Sequence, residues 1–146
     1  MFFKDIIGQD DIKEQLVRST QKGFIPHAQL VCGPEGIGKF PLALAYAQYL
    51  NCENPTENDV CGKCSSCIKY NHLAHPDLHF VFPIVKKAAK KKEVCDDYIS
   101  EWREFISKSP YFNMNQWLEY IDAENSQGMI YAKESEEIIR KLSLKI

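Results

Sequence analysis

Two groups of residues in this sequence have types and spacings that could do chemistry. The first runs from Gly33 to Lys39, GPEGIGK, and meets the pattern G-x-x-x-x-G-K. Glycines let a backbone wrap closely around an anion, so that successive N–H groups and the N-terminus of a following helix point at phosphates. Lys39 would add a point charge for the outer phosphates. In the full motif a Ser or Thr hydroxyl comes next and holds magnesium; here that residue is Phe40. The loop is complete for anion binding and defective for metal-assisted chemistry, and a plain structural turn is its alternative reading. The second group is Cys52, Cys61, Cys64 and Cys67, at C-x8-C-x2-C-x2-C. Two C-x-x-C steps that share Cys64, closed by a fourth thiol, make a tetrahedral thiolate cage suited to zinc, with no open position and hence a structural role. Disulfides and an iron–sulfur cluster are the alternatives. Cys32 and Cys95 lack partner spacing and read as buried or free thiols.

The elements that must position these groups follow from the apolar pattern. The run Gln29 to Cys32 reads as a short buried strand feeding the loop, and residues 40–50, FPLALAYAQYL, as a mostly buried helix with Pro41 tolerated in its first turn. Before them, residues 10–22 form an amphipathic helix on Ile12, Leu16 and Val17, stopped by Gly23. After the cysteines come a short helix from Cys64 to about Leu73 and a second buried strand from Leu78 to Phe82. No Asp or Glu follows that strand; Pro83 and Ile84 stand where a catalytic carboxylate would be sought. His72, His75 and His79 share no compact ligand spacing and read as surface or loop residues. Residues 86–92, KKAAKKK, read as a solvated flexible run or as a contact for nucleic-acid phosphates. Helical patterns continue over 96–108 (Ile99, Trp102, Ile106), 115–123 (Trp117, Leu118, Ile121) and 133–144 (Ile138, Ile139, Leu142), with an extended link at 128–131.

The chain is 146 residues long, the size of one ordinary domain, and its formal charge of −2 argues against a broadly basic nucleic-acid surface. It contains no run of about 18 apolar residues, which excludes a membrane-spanning helix. Its first residues lack the apolar core and cleavage site of a signal peptide. The expected location is the cytoplasm, where reduced cysteines favour metal ligation over disulfides.

A strand, GPEGIGK, an alanine-rich helix and then a four-cysteine module together resemble the bacterial DNA polymerase III clamp-loader subunits, which are AAA+ ATPase-type proteins. The opening FKDIIGQDDIKEQL is similar to that family's N-terminal segment. The resemblance implies an α/β fold, a P-loop AAA+ type parallel sheet flanked by helices, with an inserted four-cysteine zinc module. By position it places Ile7, Gly8 and Gln9 near an adenine base, Gly33, Gly36, Ile37, Gly38, Lys39 and Phe40 near the phosphates of ATP, and Cys52, Cys61, Cys64 and Cys67 around zinc. Phe40 leaves magnesium without its hydroxyl ligand. Phe40 and the sequence His75-Pro76-Asp77 resemble the non-hydrolysing delta prime type within the family, and the gamma/tau-type ATPase is the alternative. A third reading, from another class, is a zinc-stapled nucleic-acid-binding module. Residues 1–146 read as the N-terminal part of an AAA+ nucleotide-binding domain, with the zinc-binding module at 52–67 and a helical insertion at 84–128. The acidic strand that activates water would lie beyond this stretch, so no catalytic activity of its own is expected. The implied partners are the other clamp-loader subunits of a hetero-oligomeric ring and, through that assembly, the sliding clamp and primer-template DNA, with no membrane.

Overall fold

The computed structural model describes residues 1–144, which fall into two compact units, Met1–Leu78 and a second that begins at His79. In the first unit a 3-10 turn at Phe3–Asp5 precedes α1 (Asp10–Gln21), α2 (Lys39–Leu50) and α3 (Ser65–Asn71). Gly23 ends α1 as its left-handed geometry predicts: the Gly23 N–H reaches Thr20 O at 2.9 Å and the Phe24 N–H reaches Ser19 O at 2.9 Å. Val17 of α1 and Leu42, Ala45, Tyr46 and Tyr49 of α2 pack with Phe3, Ile6, Val60 and Cys67 into one core. The Ile12 side chain, expected on the apolar face of α1, is instead exposed.

The expected parallel sheet is not formed: among the described residues there are helices and turns, and only two isolated antiparallel bridges, Ile84 with Met129 and Lys87 with Lys92. Gln29 to Cys32 forms no regular element, and Leu30 is 88% exposed. The physical reason is that a strand is completed by its neighbours. Its N–H and C=O groups need a ladder, and here no described segment forms a β-bridge with this run. Leu78 to Phe82 likewise forms no strand; Phe82 alone of its apolar residues is fully buried.

In the second unit a 3-10 turn at Cys95–Tyr98 leads into α4 (Ile99–Lys108), followed by α5 (Met114–Tyr120) and α6 (Lys133–Ser143). Its core is aromatic. Trp102 stacks on Phe82 with centroids 4.1 Å apart, and Trp117 meets Trp102 edge-on at 4.9 Å and Phe82 at 5.3 Å. Asn113 and Gln116 close a capping box at the start of α5. On α6 the buried residue is Glu134, which accepts the Cys95 N–H at 2.9 Å, while Ile139 and Leu142 of the expected apolar stripe face outward.

The lysine run is largely exposed, as a solvated run would be, with three of its lysines engaged. It folds as a turn around Ala88–Lys90 under the Lys87–Lys92 bridge; Lys92 pairs with Glu101 and lies 4.3 Å from the Tyr98 ring, Lys86 lies 4.2 Å from the Tyr131 ring, and Lys87 donates to the Ile121 carbonyl.

Cys95 is buried between Phe82 and Glu134, its thiol donating to Phe82 O at 3.2 Å. Burial, helped by the Glu134 carboxylate, pushes this thiol from an ordinary value near 9 up to about 12. The unfolded chain therefore ionises first, so the second unit keeps its full stability below pH about 9 and loses part of it as pH rises from there toward 12. An iodoacetamide pulse at pH 8, read by mass spectrometry, is expected to label the exposed Cys32 and spare Cys95; equal labelling of both would contradict this placement.

Candidate nucleotide cradle and metal centre

One helix carries both candidate sites. At the N-terminus of α2, Gly38 adopts φ +91°, a left-handed conformation open to glycine, and turns the loop into the helix. No side chain caps this terminus and no acidic residue occupies its first turn, so the positive end of the helix dipole is left for an anion. Lys39 folds back over the loop and donates to the carbonyls of Gly33 and Pro34, each at 2.7 Å. The cradle is held in shape by the same ammonium that would meet a phosphate.

An open cleft of about 420 Å³ lies beside the loop, and its lining brings Gln9 together with Gly33, Ile37, Gly38 and Lys39. Two residues expected near a base and two expected near phosphates do not line it: Ile7 is 81% exposed, and Gly8, Gly36 and the half-buried Phe40 lie outside the wall. Gln9 precedes α1 with φ 60°, a left-handed conformation unusual for a residue with a side chain. Ile12, Leu30 and Val31 give the cleft an apolar side, a contribution that only the unpaired run reveals.

Beyond the other end of α2 stand the four cysteines. Cys52 follows Asn51, whose side chain donates to Ala47 O and Tyr70 Oη, both at 2.9 Å. A turn clasped between Thr56 and Asp59 then delivers Cys61. The Asp59 carboxylate accepts the N–H groups of Phe3, Lys4 and Val60 at 3.0, 3.1 and 2.8 Å, fixing the N-terminal segment to the cysteine turn. Gly62 has no room for a side chain: a Cβ there would come within 2.5 Å of the Phe2 ring. Cys64 caps α3 through its sulfur, which accepts the Cys67 N–H.

All four sulfurs lie within 4.8 Å of one another, with Cys52–Cys61 and Cys52–Cys67 at 3.6 Å and Cys61–Cys67 at 4.0 Å. A tetrahedron with zinc–sulfur bonds of about 2.3 Å has edges of about 3.8 Å, so the donor set fits such an ion. Backbone N–H groups already point at the sulfurs, from Cys61 to Cys52, Cys64 to Cys61 and Cys67 to Cys64, each at 3.4 Å. The Lys63 and Cys64 N–H groups hold the Cys61 thiol down to about 6, while burial pushes Cys52 up to about 12. An entering cation would displace the protons that remain on the thiols. The histidines stay apart from this cluster. His75 packs against Tyr70, ring centroids 4.6 Å apart, and its Nδ1 accepts the Asp77 N–H at 3.1 Å, which gives His75-Pro76-Asp77 the form of a structural corner.

Set against known proteins, residues 8–127 match the family model described as "DNA polymerase III, delta subunit", and the chain belongs to that family. Among curated relatives, the DNA polymerase III subunit gamma of Buchnera aphidicola subsp. Acyrthosiphon pisum is 41% identical over 66 residues, covering 45% of this chain and 18% of the relative. The DNA polymerase III subunit tau of Bacillus subtilis is 34% identical over 65 residues, 44% of this chain and 12% of the relative. Protein STICHEL-like 1 of Arabidopsis thaliana is 38% identical over 71 residues, 48% of this chain and 6% of the relative. The matched stretch spans between 6 and 26% of the length of such relatives. No solved structure matches the chain. Among the described residues no helix is long and apolar enough to cross a membrane.

Proposed function

We propose that this chain belongs to a clamp-loader subunit of the replicative DNA polymerase III, of the non-hydrolysing delta prime type, which helps load the sliding clamp onto primer-template DNA from the cytoplasm as part of a hetero-oligomeric ring. The observation that carries the reading is the double use of α2, with a lysine-clasped glycine loop before it and four clustered cysteine sulfurs after it. On this reading residues 1–146 are part of an AAA+ nucleotide-binding domain, 52–67 its zinc module and 84–128 a helical addition. ATP would sit with its phosphates against Gly33, Gly36, Gly38 and Lys39 and its base toward Ile7, Gly8 and Gln9. Binding without hydrolysis follows from Phe40, because the magnesium that bridges the phosphates loses its hydroxyl ligand.

The gamma/tau-type ATPase is a second reading, favoured by the names of the relatives and opposed by Phe40. The zinc-stapled nucleic-acid module has less support, since three of the five lysines that suggested it are engaged within the unit. Mixing the metal-loaded protein with the remaining clamp-loader subunits tests the proposal. Co-elution in a complex whose ATPase rate is unchanged by Lys39→Ala in this chain is the expected result. Failure to co-elute would overturn the clamp-loader reading, and hydrolysis that depends on Lys39 would favour the gamma/tau type.

A further inference from the structure

We infer that the turn carrying Lys86, Lys87, Lys90 and Lys91 is a contact for the phosphate backbone of DNA, made by this chain itself. Such a contact depends on neither the nucleotide cradle nor the metal centre, and it adds to the clamp-loader reading without resting on it. The turn is closed by the Lys87–Lys92 bridge, with the Lys90 N–H reaching Lys87 O at 3.0 Å and the Lys91 N–H reaching Ala88 O at 3.1 Å. Lys91 adopts φ 52°, a left-handed conformation in which a side chain is strained and glycine is not. A lysine stands there all the same, and it is exposed, as are Lys86 and Lys90.

Charge decides what the turn can meet. The carboxylates along the same stretch are bonded to other groups: Glu93 to Lys133 at 2.6 Å, Asp96 to Lys141 at 2.6 Å, Glu101 to Lys92, and Asp97 to the N–H groups of Glu93 and Val94. Among the described residues no carboxylate pairs with Lys86, Lys87, Lys90 or Lys91. Two of them are positioned by groups without net charge, Lys86 4.2 Å from the Tyr131 ring and Lys87 by the Ile121 carbonyl, which fixes each ammonium without cancelling it. Cations on one closed turn, with only Ala88 and Ala89 between them, offer charge and little apolar surface. That favours a polyanion of regularly spaced phosphates over a lipid surface, where buried apolar side chains add to the attraction. The whole chain carries a formal charge of −2, so attraction for DNA must come from this place and not from the net charge.

The test is binding of the folded whole chain to a short fluorescein-labelled DNA duplex, read by anisotropy from about 50 to 200 mM salt. Each phosphate neutralised adds about −0.9 to the slope of log affinity against log salt, so about three contacts predict a slope near −3. Lys90→Gln combined with Lys91→Gln is expected to bring the slope to about −1 and to weaken binding at low salt by at least about 10-fold. Lys22→Gln combined with Lys69→Gln removes the same charge from exposed positions elsewhere and is expected to leave the slope unchanged. Lys91→Gly guards against a variant that does not fold, since glycine relieves the left-handed strain; it removes one ammonium and should change the slope by about 1. No binding by the folded, unaltered protein at about 50 mM salt, or an equal loss in the two double variants, would overturn the inference. So would retention on vesicles of phosphatidylglycerol and phosphatidylcholine with no binding to the duplex. None of these results bears on co-elution with the other clamp-loader subunits, so the contact and the clamp-loader reading fall separately.

Discussion

On the proposed reading of the four cysteines as a zinc site, stripping zinc from the zinc-loaded protein with a strong chelator is expected to abolish the fold of Met1–Leu78. The four cysteines sit where the end of α2, the Asp59 turn and the start of α3 converge, and Cys67 is part of the same core as Leu42, Tyr46 and Tyr49. Structural zinc supplies on the order of 10–16 kcal/mol of apparent binding free energy in small zinc-dependent folds. The entire stability of an ordinary domain is about 5–15 kcal/mol. A core assembled on one short cluster, with a run at 29–32 that forms no ladder, has little to offset that loss. Hydrogen exchange read by mass spectrometry should show the amides of α2 and α3 losing protection on chelation and regaining it with added zinc. Cys67→Ser is expected to reproduce the chelated state. Protection that survives complete metal removal would mean that the apolar core suffices and that the thiols are incidental.

Trp117→Ala is expected to destabilise the second unit by about 3–5 kcal/mol, the cost of deleting a fully buried large aromatic side chain. Trp117 is 0% exposed and sits among Phe82, Trp102 and Phe105, with ring centroids 4.9 to 5.4 Å away. Its Nε1–H donates to the Pro83 carbonyl at 2.8 Å, so truncation leaves both a void and a part-buried acceptor without its donor. Trp117→Phe separates the two terms, keeping most of the volume and losing the hydrogen bond, at about 1 kcal/mol for the latter. Urea unfolding followed by Trp102 fluorescence gives the numbers. A cost below about 1 kcal/mol for the alanine variant would mean that the aromatic cluster is not the core.

The clustering of the four cysteines and the glycine turn into α2 were legible from the sequence, because both are local patterns: thiols at C-x-x-C steps, and glycines and a lysine at fixed steps before a helix. The helices were legible for the same local reason, with α2 and α5 within a residue or three of their expected bounds. What was not legible depends on partners distant in the chain. An apolar run such as Gln29 to Cys32 does not say whether a neighbour will pair with it. The turn formed by the lysine run, and the engagement of Lys92 and Lys86 by Glu101, Tyr98 and Tyr131, were not legible because those partners are not marked in the local pattern. Glu134 gave no sign of burial, since the Cys95 N–H that it accepts is 39 positions away. Asp59 was missed for a related reason: a turn aspartate is an ordinary residue until the backbone N–H groups beside it are known.

The most direct test of a nucleotide cradle without a metal ligand is equilibrium ATP binding to the zinc-loaded, folded protein, with and without magnesium, beside Lys39→Ala. Charge-assisted hydrogen bonds contribute about 1.5–3 kcal/mol, so the variant should bind about 10- to 100-fold more weakly. Magnesium should change the affinity of the unaltered protein by less than about twofold, since Phe40 offers it no oxygen. Measurable binding with both of these properties is the predicted result. No binding by folded protein, or binding that requires magnesium, would contradict it.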